Sequence, residues 1–202
     1  MKRGYFITLY GINNIGKSTQ AKLLMSSLAK HGYKAVYLKY PIYDLEPTGP
    51  MLDKILRHEG DQKLTELELQ KLFAQNRRDY EKQLRKLLDE GNIVVAEDYI
   101  GTGIAWGTAK GVSLEAMEIL NDGLLEEDLS ILCLGTRNLN AKEENHIHEN
   151  DDELVKKVET QLLMLAKRYS WKTFVMKKRI QETADALWEL VANFLLAEEK
   201  NA

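Results

Sequence analysis

The chain has 202 residues, 44% of them hydrophobic and 29% charged, with a formal net charge of −3. This is the composition of an ordinary folded domain long enough to bury a core, and its slightly acidic balance argues against a nucleic-acid or anionic-membrane surface. A single cysteine excludes a disulfide framework and fits a reducing cytoplasm, and no apolar run approaches the ~18 residues of a membrane span.

In chain order, Tyr5–Tyr10 is a short apolar run ended by Gly11, which reads as a buried strand. It runs into "GINNIGKS", the pattern G-x-x-x-x-G-K-[ST] from Gly11 to Ser18. Lys17–Lys30 has apolar residues at 21, 23, 24, 28 and 29 with Gly32 just beyond, the pattern of a helix closed by glycine. Ala35–Tyr40 is the next strand, stopped by Pro41, and Met51–His58 is a short helix. Leu64–Leu88 is a long helix opened by the capping box Thr65–Glu68 and closed near Gly91.

Asn92–Asp98 supplies a third strand, Ser113–Asn121 a helix, and Asp128–Gly135 a fourth strand. Cys133 lies inside that strand, where a lone thiol reads as core rather than nucleophile. Asp151–Tyr169 is an amphipathic helix, Lys172–Met176 a fifth strand and Ile180–Leu196 the last helix. Strands alternating with helices predict one α/β domain over residues 1–202: a five-stranded parallel sheet flanked by helices, with ligands at the carboxyl ends of its strands.

The glycine-rich pattern lies between a strand and a helix, the setting in which backbone N–H groups converge on phosphate oxygens at a helix N-terminus. Gly11 and Gly16 allow the close approach, and Lys17 reaches the β- and γ-phosphates. The Ser18 hydroxyl would ligate Mg²⁺. The expected triphosphate contacts are thus Gly11, Asn13, Asn14, Ile15, Gly16, Lys17, Ser18 and Thr19. Phe73 and Arg77, four residues apart, share one helix face, where a ring can stack on a base and a guanidinium can donate to a base carbonyl or a phosphate.

The order of segments resembles the thymidylate kinase (dTMP kinase) family nearly end to end. The resemblance rests on "KSTQ" at Lys17–Gln20, the aromatic–proline pair Tyr40–Pro41, "LFAQNRR" at Leu72–Arg78, the segment "VVAEDYIGTGIAWG" and "WKTF" at Trp171–Phe174. It implies a three-layer P-loop NTPase fold and transfer of the ATP γ-phosphoryl group to dTMP, giving dTDP, with Mg²⁺ as cofactor and a homodimer as the assembly. It further implies catalysis by Lys17, Glu97 and Arg77, and Mg²⁺ at Ser18 and Glu97. Acceptor contacts would come from Pro41, Phe73, Arg77, Asp98, Tyr99 and Trp106, and a lid over about 137–153 would bring Arg137 to the triphosphate.

The chain departs from the family pattern at charged positions. Glu97 and Asp98 stand where the family has Asp and Arg, Ile42 and Tyr43 where it has an acid and Arg, and Asn13 where it has Asp. Asn14 stands where some members carry Arg. Three readings stay open on these residues. The chain is a dTMP kinase drawing its cations from Lys39, Arg78, Arg137 or Lys142; or it acts on another deoxynucleotide or a deoxynucleoside, with Glu97 or Asp98 as base; or it binds nucleotide without transfer. His146 and His148 in the polar loop, near Glu144 and Glu149, lack a third ligand at metal-site spacing and read as solvated.

Overall fold

The computed structural model describes residues 3–57, 64–138 and 151–200. Its five strands are β1 (Phe6–Tyr10), β2 (Ala35–Lys39), β3 (Ile93–Glu97), β4 (Leu129–Leu134) and β5 (Lys172–Val175). All pair in parallel in the order β2-β3-β1-β4-β5. β1 and β3 are buried at every position, as expected of strands covered on both faces.

Helices α1 (Lys17–Lys30), α2 (Thr48–Arg57) and α3 (Glu66–Asp89) are followed by α4 (Ile100–Ala109), α5 (Leu114–Asn121), α6 (Asp152–Arg168) and α7 (Ile180–Lys200). The crossover from β1 through α1 moves one way along the sheet, while the later crossovers move the other way. With right-handed connections this puts α1 on one face and α3, α4 and α6 on the other. α7 returns to pack on α1, and α4 packs on both α3 and α6. The three-layer α/β expectation therefore holds.

Element boundaries follow local chemistry closely. α3 begins at the Thr65 cap, whose hydroxyl accepts from the Glu68 N–H while the Glu68 carboxylate accepts from the Thr65 N–H. α1 ends at His31 with Gly32 at φ 84°, a left-handed residue. α2 starts at Thr48, three residues before the expected Met51, because Pro50 sits in its first turn, where no backbone donor is needed. α7 runs four residues past Leu196.

The one element missed from sequence is α4. Residues 100–109, "IGTGIAWGTA", hold three glycines, which oppose a helix in isolation. Packing overrides propensity here: a Cβ on Gly101 would lie 2.2 Å from the Trp171 ring, and one on Gly107 would lie 2.5 Å from Met117 Sδ. The glycines let α4 approach its neighbours. Cys133 is 1% exposed, and burial pushes its thiol up to about 12, so it is a core residue. Among the described residues no helix is long and apolar enough to cross a membrane.

Candidate functional site

The strand order reverses direction at β1, and the connections leaving β1, β3 and β4 meet above that switch point. Such a crevice is the ligand site of an open parallel sheet. A cavity of about 440 Å³ lies there.

One end is built by the loop between β1 and α1. Gly11 takes φ 145° and Gly16 φ 98°, and a Cβ on Gly11 would fall 2.7 Å from the Cys133 carbonyl oxygen. Both positions need glycine. Asn14 is also left-handed, at φ 65°, and its carbonyl accepts from the Asn138 N–H at 2.8 Å, tying the loop to the segment after β4.

Lys17 is buried at 6% exposure, and its Nζ donates to the carbonyls of Gly11 (2.8 Å) and Ile12 (3.1 Å). Asp98 Oδ1 lies 3.7 Å from the same Nζ and accepts from the Thr102 hydroxyl at 2.8 Å. The ammonium is thus held back over the loop by two carbonyls and one carboxylate.

Ser18 and Glu97, which the family resemblance brings together at Mg²⁺, are in direct contact. The Ser18 hydroxyl donates to Glu97 Oε2 at 2.8 Å, and Glu97, 2% exposed, also accepts from the Tyr37 hydroxyl. Tyr37, on β2, is half-buried, with its phenol at the site. Burial, together with the Glu97 carboxylate, pushes that phenol well above its ordinary value, so it remains a donor. The hydroxyl and carboxylate oxygens of Ser18 and Glu97 suit a hard cation such as Mg²⁺ shared with phosphates.

The other end of the cavity is a face of α3 set against α4. Phe73 and Arg77 both line it, as do Pro41, Tyr99 and Trp106. Tyr99 is 1% exposed and wedged edge-on between Phe6 and the tilted ring of Tyr40, so it serves as a wall. Arg77 is 3% exposed, and its Nη2 donates to Asn121 Oδ1 at 2.8 Å. Burial lowers its pKa to about 10, still far enough above neutrality to keep the guanidinium charged.

Three expected triphosphate contacts do not line this cavity with their side chains. Gly11 sits behind Lys17, and Ile15 turns its side chain into the core beside Gly11 and Gly135. Arg137 points away, its Nη1 paired with Asp152 Oδ1 at 2.8 Å at the start of α6. Arg78 donates to the Asp122 carbonyl instead of entering the site. Lys39 does line the cavity, and so does Lys110, which sequence reading missed. Lys142, His146, His148 and most of the segment 137–153 lie outside the described residues.

Glu66, Gln70, Thr102 and Gly103 also line the cavity and were not anticipated. Positions 66, 70, 73 and 77 are spaced 4, 3 and 4 apart, so the helical period that paired Phe73 with Arg77 could have found the first two. Thr102, Gly103 and Lys110 needed α4 to be recognised as a helix.

Comparison with known proteins agrees with this geometry. The model of the thymidylate kinase family matches residues 9–187. A thymidylate kinase of African swine fever virus is 35% identical over 120 residues, 58% of this chain and 48% of that protein. A probable thymidylate kinase of Pyrococcus horikoshii is 34% identical over 139 residues, 64% of each chain. The matched stretch thus spans about half the viral relative and just under two thirds of the archaeal one. A probable thymidylate kinase of Thermococcus onnurineus is 31% identical over 181 residues, covering 81% of this chain and 85% of that one. The solved thymidylate kinase of Candida albicans superposes with a TM-score of 0.79 at 24% identity, over 95% of this chain and 92% of that one, which shows the shared fold. A phosphate loop facing an aromatic–arginine helix face across the switch point, matched by a family model over most of the sequence, places this chain in the thymidylate kinase family.

Proposed function

We propose that this chain transfers the γ-phosphoryl group of ATP to dTMP, forming dTDP and ADP. The observation that carries this reading is that the phosphate loop around Lys17 and the Phe73–Arg77 face of α3 open onto one cavity. Donor and acceptor ends are therefore close enough for in-line transfer.

In this reading the sheet and its helices act as one catalytic unit. The loop amides of residues 13–19 and Lys17 hold the donor phosphates, with Lys17 exchanging its carbonyl contacts for phosphate oxygens. Ser18 and Glu97 would hold Mg²⁺, which when bound would supply positive charge to the phosphates. Phe73 stacks on the base and Arg77 donates to a base carbonyl, while Pro41, Tyr99 and Trp106 close the pocket.

An oxygen of the acceptor phosphate attacks the γ-phosphorus as the bond to the bridging β-phosphate oxygen breaks. That phosphate is already anionic at neutral pH, so no general base is needed. Lys39, at the C-terminal end of β2 and in register with Glu97, supplies positive charge where the family's arginines are missing. We further infer a homodimer and a cytoplasmic setting. The dimer reading is supported by Ile119 on α5 and Leu163 and Met164 on α6, all exposed large apolar side chains. The Arg168–Glu118 ion pair joins these two helices.

The test is a coupled assay with ATP and Mg²⁺ across dTMP, dUMP, dCMP, dGMP and thymidine. The expected result is fastest turnover of dTMP, reduced by Lys17→Ala by roughly a thousandfold or more. Preferential turnover of thymidine would move Asp98 or Glu97 into the role of base. Silence across the panel with ATP still bound would make the chain a binding protein.

A further inference from the structure

The proposed function leaves open how the acceptor base is told from its competitors. Two buried polar side chains address this. Gln70 is 2% exposed and its Oε1 has no hydrogen-bond partner, a costly condition for a buried acceptor. Its amide cannot relieve this by turning over. Gln70 Nε2 donates to Glu66 Oε1 at 2.8 Å, and a carboxylate there accepts from NH₂ but would repel the amide oxygen. Glu66 is itself held by Lys110, whose Nζ lies 2.9 Å from Oε2. The chain Lys110–Glu66–Gln70 thus holds the amide with Oε1 buried and unpartnered, on a residue that lines the cavity.

What Oε1 faces is the space above Gly103. A Cβ on Gly103 would lie 3.3 Å from Gln70 Oε1, 3.0 Å from Arg77 Nη2 and 3.3 Å from Arg77 Nη1. A fixed acceptor and a fixed cationic donor therefore border one spot that only glycine leaves open. Phe73, between them on the same helix face, lines the same cavity.

We propose that Gln70 is a base-reading residue of this site: its Oε1 accepts the ring N–H of a base whose neighbouring carbonyl takes the Arg77 guanidinium. The inference rests on the nucleotide-acceptor reading above and deepens it. The pair is complementary to a keto group beside a ring N–H, as in thymine and uracil. Cytosine reverses both positions, with an amino group toward Arg77 and a bare ring nitrogen toward Gln70. It leaves two donors facing and two acceptors facing, which buried polar groups tolerate poorly. Selection against cytosine by this pair needs no added bulk.

The test compares kcat/KM for dTMP and dCMP in the wild type and in Gln70→Met, which keeps length and removes the acceptor. The dTMP:dCMP ratio is expected to fall by about 10- to 100-fold in the variant, with KM for ATP unchanged. An equal loss on both substrates, or an unchanged ratio, overturns the role. If Gln70→Met does not fold, wild-type enzyme with dTMP methylated at N3 asks the same question: loss of turnover and competition supports the contact, and full use of the analogue overturns it. A wild-type enzyme that uses no nucleoside monophosphate refutes the acceptor reading itself, so the two failures are distinguishable.

Discussion

Asp98 is the residue at which the chain departs most sharply from its family, and its surroundings supply a physical reason. Its backbone is left-handed at φ 58°, a region that short polar side chains tolerate and long ones resist. Its carboxylate lies 3.7 Å from the buried Lys17 ammonium and balances its charge. An arginine here would strain the backbone and set two buried cations side by side. The triphosphate must then compete with Asp98 for Lys17. Asp98→Asn keeps the shape and the Thr102 contact while removing the charge. A weakened ion pair of about 1 kcal/mol corresponds to an approximately fivefold lower KM for ATP. Steady-state kinetics checks this, and a higher KM would mean that Asp98 itself takes part in holding the donor.

At the scale of elements, the site is the seam between α3 and α4. α3 is legible from its capping box and period, and its stripe at 66, 70, 73 and 77 supplies one wall. α4 is held by what its glycines permit. Gly101→Ala would drive a methyl group into the Trp171 ring, stacked on Tyr10, where there is no room to give. Gly103→Ala meets only the Arg77 and Gln70 ends and gains helix propensity of about 1 kcal/mol. The two substitutions should therefore separate. Gly101→Ala is expected to lower stability by roughly 1–3 kcal/mol in urea unfolding. Gly103→Ala is expected to cost less stability than Gly101→Ala while increasing KM for the acceptor about tenfold or more. Equal behaviour of the two would show that the space above Gly103 is not substrate space.

For the molecule as a whole, Arg77 is a buried cation whose desolvation costs stability. Burial lowers its pKa to about 10, below the value of an exposed guanidinium, so the unfolded chain binds the proton more tightly than the folded one. Between those values stability rises with pH as the folded group loses its charge first. Below about 10 the full penalty is present, which includes neutral pH. Arg77→Met removes it and should raise the melting midpoint of the free protein by roughly a few degrees. Acceptor turnover should fall about a hundredfold, and dTMP should no longer stabilise the variant. A drop of several degrees in calorimetry would show instead that the Asn121 contact outweighs the burial.

The strand–helix alternation, the phosphate loop and the placing of Phe73 and Arg77 on one helix face were legible in the chain, because each depends on residues within a few positions of one another. It also carried Ser18 and Glu97 as partners, through a family pattern rather than through spacing. Which residues stand across from these depends on the packing of elements distant in the chain. α4 forms despite three glycines because Trp171 and Met117, far along the chain, require a helix without side chains at those points. Arg137 is drawn to Asp152 while Lys39 and Lys110 line the cavity, and Ile15 turns inward where its neighbours face the ligand space. Gln70 acquires its role from Lys110 and Glu66 on two different elements. Local chemistry sets the elements, but the charge and hydrogen-bond content of a site at a topological switch point depends on which elements the sheet brings together.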